Sequence, residues 1–149
     1  MFTSLSDKRY VTKHSNGSSS FQTESTEWVA FSPDGKTLAV SSQHRGEQIG
    51  SVKLVNIESE TVSARTPDVY GRVRFLNDGK SLVVGGYTGL HVIDAESGKV
   101  LRTLRAESGV LALDVSHDGR SLVCGDTRGR LQLWEIETGK QLWEASVMP

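Results

Sequence analysis

A tight Asp-Gly turn between two apolar strands recurs three times along this chain. It occurs in FSPDGKTLAV, FLNDGKSLVV and VSHDGRSLVC, at residues 31–40, 75–84 and 115–124. The turn glycines, Gly35, Gly79 and Gly119, are 44 and 40 residues apart. A repeat of about 40–45 residues is typical of solenoid and propeller arrays, in which neighbouring units bury each other's apolar faces.

Each turn belongs to a set of four short strands with alternating apolar and polar residues. We predict strands at residues 28–31, 37–41, 51–57 and 61–65, then at 72–75, 81–85, 90–94 and 100–104, and finally at 111–115, 122–125, 131–136 and 141–144. Residues 43–50 form a predicted polar loop that is longer than its equivalents. No segment shows a long 3.6-residue periodicity, so helix should be scarce.

The predicted fold is therefore all-β, with about three β-propeller blades that are each a four-stranded antiparallel meander. The repeats cover about residues 25–66, 67–105 and 106–149. Residues 1–24 are predicted as a flexible N-terminal segment, in which residues 9–13 form either a short edge strand or part of a disordered leader. Residues 15–20 are polar and predict a loop.

The composition does not point to any particular class of binding partner. The chain has 17 basic and 18 acidic residues and a net charge of −1, which gives no reason to expect nucleic acid or an anionic membrane. The single Cys124 excludes an intrachain disulfide and argues against a cysteine zinc site. No apolar run reaches membrane-spanning length, and residues 1–9 lack the apolar core of a signal peptide, so a cytoplasmic protein is expected.

No residue pattern predicts catalysis, a cofactor or a metal. The four histidines have no ligand spacing. Gly79-Lys80-Ser81 resembles the end of a phosphate-binding loop, but Arg74 replaces the required earlier glycine. Cys124 lies within an apolar strand, where a buried, inert thiol is expected. We therefore predict a protein without enzymatic activity.

Two segments resemble the WD-repeat β-propeller family. They are FSPDGK at residues 31–36 and LQLWEIETGK at residues 131–140, and the resemblance extends over about residues 26–146. The family's tryptophan is kept only as Trp134, and its His–Ser–Asp–Trp network is complete in no repeat, so blade shape should depend on apolar packing. Resemblance to this family implies a non-catalytic scaffold that binds protein or peptide partners.

Three repeats are fewer than the 4–8 blades of a closed propeller. Three explanations stay open: a fragment of a longer propeller, two chains that together form a six-bladed ring, or an N-terminal strand that covers an open edge. We favour the fragment, because neither terminal repeat has a polar outer face. Self-association, or missing blades that close the ring, is thus an expected feature.

The resemblance also implies where partners bind. In this family, recognition uses the rim formed by the loops before the first strand and between the second and third strands, together with first strands that line the channel. The candidate residues are Glu27, His44, Arg45, Tyr70, Arg72, Arg74, Tyr87, Asp126 and Arg128. Unpaired Arg72 and Arg74 would favour an acidic or phosphorylated peptide.

Two alternatives to a binding scaffold remain. The chain could be a fragment of a lactonase-like or quinoprotein-like propeller enzyme, for which Asp114 is the only acid in the middle of a predicted first strand. It could also be a purely structural part of a larger propeller.

Overall fold

The computed structural model describes residues 10–13, 19–22, 24–44, 49–104 and 109–147, the first two ranges as backbone alone. Every regular element in these ranges is a β-strand. Within the same ranges, no helix has the length and apolar character needed to cross a membrane.

The strands form three four-stranded antiparallel sheets and one hairpin, in simple sequence order. The hairpin pairs β1 (Tyr10–Lys13) with β2 (Ser19–Gln22). The first sheet contains β3 (Glu24–Phe31), β4 (Thr37–His44), β5 (Gly50–Asn56) and β6 (Thr61–Pro67). The second contains β7 (Arg72–Phe75), β8 (Ser81–Gly86), β9 (Gly89–Asp94) and β10 (Val100–Leu104). The third contains β11 (Val110–Val115), β12 (Ser121–Asp126), β13 (Arg130–Glu135) and β14 (Gln141–Ser146). The predicted fold of three antiparallel meanders is confirmed.

Two predicted loops are shorter than expected. In the N-terminal segment, Lys13 pairs with Ser19, so Ser19 and Ser20 belong to β2 and not to the polar loop predicted at residues 15–20. In the first sheet, Gln43 pairs with Gly50, so the predicted loop at 43–50 is shorter: Gln43 and His44 belong to β4, and Gly50 belongs to β5. Antiparallel pairing extends both hairpins, because it uses backbone groups and a polar side chain does not prevent it.

The Asp-Gly turns have the predicted conformation. Each turn glycine has a positive φ, between 68° and 72°. In the first turn, the Asp34 carboxylate accepts hydrogen bonds from the Ser32 hydroxyl at 2.6 Å and from the Lys36 amide at 2.9 Å. These hydrogen bonds hold the pKa of Asp34 below its usual value, so the turn is most stable when the carboxylate is ionised.

The apolar core lies between neighbouring sheets, which we call blade 1 (β3–β6), blade 2 (β7–β10) and blade 3 (β11–β14). The leading face of a blade is the side toward the next blade in sequence, and the trailing face is the opposite side. The leading face of blade 1 packs on the trailing face of blade 2, which buries Ala39, Val52 and Leu54 against Leu82, Val84 and Ile93. The leading face of blade 2 packs in the same way on blade 3, which buries Val83, Leu90 and Val92 against Leu122, Cys124 and Trp134.

The leading face of blade 3 remains open to solvent. Val123, Leu131 and Leu133 occupy the positions that Val83, Leu90 and Val92 occupy in blade 2, but they are only half-buried. Trp143 pairs with Leu133 on β14 and is 48% exposed. This face has the apolar character of the two buried leading faces, but none of the three described sheets packs on it.

Each trailing face carries one polar residue in the middle of its third strand. Lys53, His91 and Gln132 pair with Val40, Val84 and Cys124 of the second strands. Each polar group has a partner within its own blade: Lys53 Nζ is 2.6 Å from Glu24, His91 Nδ1 is 3.1 Å from Thr103 Oγ1, and Gln132 Nε2 donates to Glu144 at 3.0 Å. Blade shape therefore depends on these hydrogen bonds as well as on apolar packing.

In blades 2 and 3, the turn between the third and fourth strands packs closely against the preceding blade. In blades 2 and 3 this turn contains Gly98 and Gly139, with φ of 74° and 71°. A Cβ at Gly98 would lie 3.0 Å from the Arg65 carbonyl oxygen of blade 1, and one at Gly139 would lie 3.0 Å from the Arg102 side chain of blade 2. Blade 1 has Glu60 at this position, with φ of 54°.

His91 is a structural histidine whose tautomer follows from its partners. Nε2 lies 3.1 Å from the Thr88 carbonyl oxygen, which can only accept, so Nε2 carries the hydrogen. The neutral ring then accepts from the Thr103 hydroxyl through Nδ1. Burial lowers the pKa of His91 below its ordinary value of 6.5, because the charged form would be poorly solvated.

We expect the free energy of unfolding to decrease as the pH falls below about 6.5. The folded-state pKa of His91 is lower than the unfolded-state pKa, so the unfolded chain binds a proton there first, and stability is lost toward acid by at most about 1.4 kcal/mol per pH unit. Urea unfolding between pH 7 and pH 5 measures this slope. His91→Gln should reduce it. An unchanged slope in His91→Gln would contradict this role.

Candidate binding site at the rim of the blades

A cavity of about 220 Å³ opens at the rim where the first strands of blades 2 and 3 begin. Its walls include Glu27 and Trp28 of β3, Tyr70 and Arg72 beside the start of β7, Tyr87 after β8, and Leu111 of β11. Four of the nine predicted partner-binding residues thus meet in one place: Glu27, Tyr70, Arg72 and Tyr87. All three blades contribute to this cavity.

Arg72 forms one fixed wall of the cavity. Its Nε donates a hydrogen bond to the Leu111 carbonyl oxygen, which ties β7 to β11. Its guanidinium carbon lies 5.8 Å from the centre of the Trp28 ring, within the range of a cation–π interaction. Arg72 is therefore engaged on two sides, by the Leu111 carbonyl oxygen and by the Trp28 ring.

Arg74 is also paired. Its Nη2 lies 2.6 Å from Asp114 Oδ1 in an ion pair between β7 and β11. Both side chains are exposed, so solvent screens the pair and its contribution to stability is small. The condition set for an acidic or phosphorylated peptide was that Arg72 and Arg74 are unpaired, and Arg74 does not meet it. Asp114, on which the enzymatic alternative depended, is held by the same ion pair.

Tyr70 lies at the bottom of the cavity and is 2% exposed. Its ring packs on Gly50, where an added Cβ would lie 2.6 Å from Tyr70 Cγ. Among the residues that the structure describes, its hydroxyl has no hydrogen-bond partner. Burial raises the pKa of Tyr70, and the charges of Tyr87 and Glu27 raise it further, so the hydroxyl stays protonated.

Tyr87 and Glu27 form the accessible mouth of the cavity. Tyr87 is 64% exposed, and Glu27 is exposed on the neighbouring strand. The Ser25 hydroxyl lies 3.5 Å from Glu27 Oε1. A partner can therefore reach both side chains without any rearrangement of the blades.

His44 lies away from this cavity. His44 Nε2 is 3.4 Å from Glu24 Oε1, and Glu24 also pairs with Lys53 Nζ at 2.6 Å. All three side chains are largely buried, so this cluster organises the trailing face of blade 1. Arg45 lies outside the described residues.

Asp126 is buried and does not lie on the exposed surface of the rim. Its side chain is 1% exposed and lies 2.9 Å from Arg130 Nη2. It also accepts backbone hydrogen bonds from Arg128 at 2.9 Å and from Arg130 at 3.0 Å. Asp126 therefore shapes the turn between β12 and β13, while the side chain of Arg128 projects from that turn into solvent.

Trp28 and Leu111 also line the cavity, although neither is among the predicted partner-binding residues. A usable signal was the glycine pair Gly85-Gly86, which ends β8 and lies beside Gly71. A Cβ at Gly71 would lie 2.2 Å from the Gly85 carbonyl oxygen, and one at Gly86 would lie 2.2 Å from the Tyr70 carbonyl oxygen. These glycines let two backbones approach closely, which creates the floor of the cavity.

Two larger grooves lie on the opposite rim, with volumes of about 540 and 470 Å³. The first, between blades 2 and 3, includes Asp78, Arg120 and Glu137, and the second, between blades 1 and 2, includes Lys80 and Glu96. Because the same groove occurs at both blade junctions, we attribute it to blade packing. The smaller cavity differs in combining residues from three blades.

The described residues also limit the available chemistry. In those parts of the chain, no group of three or more His, Cys, Asp or Glu side chains could hold a metal ion. Burial raises the pKa of Cys124 to about 11, so its thiol is protonated and unreactive at neutral pH. The arrangement at the rim is one of hydrogen-bonding and aromatic groups suited to binding.

We expect Tyr70→Phe to keep or increase the free energy of unfolding, by up to about 1 kcal/mol, because it removes a buried hydroxyl without a protein partner. Gly50→Ala serves as the control for the same packing and should be clearly destabilising, since its Cβ would lie 2.3 Å from the Ser42 carbonyl oxygen. Denaturant unfolding measures both. A loss above about 1 kcal/mol in Tyr70→Phe would mean that the hydroxyl is satisfied within the fold.

Comparison with known proteins identifies the repeat family. The family model PQQ_2, described as outer membrane protein assembly factor BamB, matches residues 6–145. No curated protein matches the chain. The match supports a propeller-type repeat, in agreement with the three four-stranded sheets, and leaves the resemblance to the WD-repeat family unconfirmed. Because the match covers most of the sequence, the chain belongs to the family described as outer membrane protein assembly factor BamB.

Proposed function

We propose that this chain is a non-catalytic scaffold that binds a protein or peptide partner at the rim cavity. The observation that carries the proposal is the convergence of Glu27, Tyr70, Arg72 and Tyr87 around one accessible opening. These residues come from separate strands and loops, yet the blades hold them in a fixed arrangement. Recognition groups on loops above a rigid sheet are the usual basis of binding in such folds.

The family description supports a role in contacts with other proteins. It names an assembly factor for outer membrane proteins, and we extend to this chain only the general role of contacting a protein. The resemblance to the WD-repeat family also implies a scaffold that binds protein partners. The ion pair of Arg74 with Asp114 reduces the positive charge that a partner would meet, whereas Arg72 keeps its charge because its partner is a carbonyl oxygen.

A second role is favoured by the leading face of blade 3. This face presents Leu131, Leu133 and Trp143, in the positions that neighbouring blades cover elsewhere in the chain. We propose that it completes a larger propeller, as a part of a longer array or through association. This structural role and the binding role use different surfaces, so they are compatible.

We expect Tyr87→Ala and Arg128→Ala to weaken capture of a native partner by about tenfold or more, because aromatic and arginine side chains dominate binding energies. The full chain is first used to isolate a partner from its native source, and the purified pair is then titrated. Both side chains are exposed, so folding should be preserved, as circular dichroism would verify.

Glu96→Ala provides the matched control, because Glu96 is an exposed residue of the opposite rim. It should leave the partner's dissociation constant unchanged. Equal affinity for the wild type, Tyr87→Ala and Arg128→Ala would contradict binding at the proposed rim.

A further inference from the structure

We infer that two copies of this chain associate head to tail, so that the leading face of blade 3 in each copy packs on the trailing face of blade 1 in the other. The inference rests on the structural role proposed for the leading face of blade 3 and names the partner that covers it. The two contacts between the copies are identical. With three sheets in each chain, the pair forms a ring of six blades, within the range of about four to eight for closed propellers.

The trailing face of blade 1 exposes apolar side chains on its first strand. Val29 pairs with Val40 as Val73 pairs with Val84, so Val29 and Val73 are equivalent positions of blades 1 and 2. Val73 is 5% exposed because blade 1 packs on it, whereas Val29 is 59% exposed. Phe31, two residues further along the same face, is 68% exposed. Blade 1 therefore presents an apolar trailing face of the kind that a leading face covers in blade 2.

The open leading face of blade 3 has the design of the leading face of blade 2. Leu133 stands where Val92 stands in blade 2, and Trp143 stands where Arg102 stands. Arg102 lies at the junction with the next blade, since its Nη1 donates to the Ile136 carbonyl oxygen at 2.9 Å. Trp143 therefore occupies a junction position on a face that is open in the single chain.

The two junctions within the chain show what covers a leading face. At both of them, a leading face packs on a trailing face. Association of two leading faces would leave Val29 and Phe31 in solvent, whereas head-to-tail association buries both open faces at once. Because both faces are open within one chain, the trailing face that covers blade 3 belongs to a second copy. Identical contacts of this kind close into a ring when the rotation permits.

The polar residue in the trailing face of blade 1 is compatible with this contact. Lys53 Nζ lies 2.6 Å from Glu24 within blade 1. His91 and Gln132 hold the same position in trailing faces that neighbouring blades cover, and each is also bonded within its own blade. A charge that already has its partner can be covered without being left unpaired.

The residues at the edges of the two open faces differ in size in opposite directions. Blade 1 has Glu60 where blade 3 has Gly139, and a Cβ at Gly139 would lie 3.0 Å from Leu104 Cδ2 of the preceding blade. Ala145 holds in β14 the position that Leu104 holds in β10. The smaller alanine thus removes one of the close side-chain contacts that require glycine at the junction of blades 2 and 3.

Sedimentation velocity of the full chain tests the association. We expect a species of twice the 16.3 kDa chain mass, with a dissociation constant on the order of micromolar. Well below that concentration the copies separate, and Trp143 has the exposure described for the single chain. Phe31→Asp and Trp143→Asp should each raise the dissociation constant at least about a hundredfold, because each places a charge in an apolar contact. Both side chains are substantially exposed in the single chain, so folding should be preserved, as circular dichroism would verify.

Tyr87→Asp is the matched control. Tyr87 is 64% exposed and lies at the rim between blades 2 and 3, away from both open faces. This variant should associate like the wild type. Partner capture that depends on Tyr87 uses a different surface, so failure of the association leaves the binding proposal at the rim intact.

A mixture of the two variants identifies the faces. Phe31→Asp keeps its leading face and Trp143→Asp keeps its trailing face, so a mixture can form one of the two contacts. We expect labelled Phe31→Asp to bind Trp143→Asp at least about tenfold more tightly than either variant binds itself, although less tightly than the wild type associates through two contacts.

Four results would overturn the inference. The first is a wild-type chain that stays monomeric at concentrations about a hundredfold above the expected micromolar dissociation constant. The second is association of Phe31→Asp alone with wild-type affinity, which would mean that two leading faces pair. The third is a mixture that behaves like the separate variants, and the fourth is growth of the wild type into species larger than a dimer.

Discussion

The packing of one blade's leading face on the next blade's trailing face is the contact on which the rest of the structure depends. Each sheet has four strands and no core of its own, so Leu54, Leu82 and Trp134 are buried only because another blade covers them. Burial of such side chains contributes about 1.5–3 kcal/mol each. The blades are therefore stable as an array, and the polar residue in each trailing face is tolerated because it is paired within its own blade.

The same packing creates the rim cavity. Blades 1 and 2 bring Trp28 beside Arg72, and blades 2 and 3 bring Arg72 beside Leu111. Tyr70 is enclosed because Gly50 and Gly86 allow the backbones around it to approach closely. The side chains around the cavity are thus brought together by blade packing and not by a local sequence motif. A partner would meet a surface that is already assembled.

The repeated Asp-Gly turn made the fold predictable, because its spacing defines the blades and its hydrogen bonds recur locally. Resemblance to the WD-repeat family implied that Tyr70 and Tyr87 lie on one rim. It could not show that Arg74 pairs with Asp114 or that Asp126 turns inward to Arg130, since these contacts depend on distances between side chains of different strands. Strand ends were also missed, because polar residues such as Gln43 and Ser19 pair when a hairpin provides the partner.

The most direct test of this account compares two tryptophans in blade 3 that lie on opposite faces. Trp134 is buried on the trailing face against blade 2, whereas Trp143 lies half-exposed on the open leading face. Equilibrium denaturation should show that Trp134→Ala lowers the free energy of unfolding by about 3–5 kcal/mol or prevents folding. Trp143→Ala should lower it by less than about 1 kcal/mol. Equal losses, or a larger loss for Trp143→Ala, would contradict packing of the blades through alternate faces.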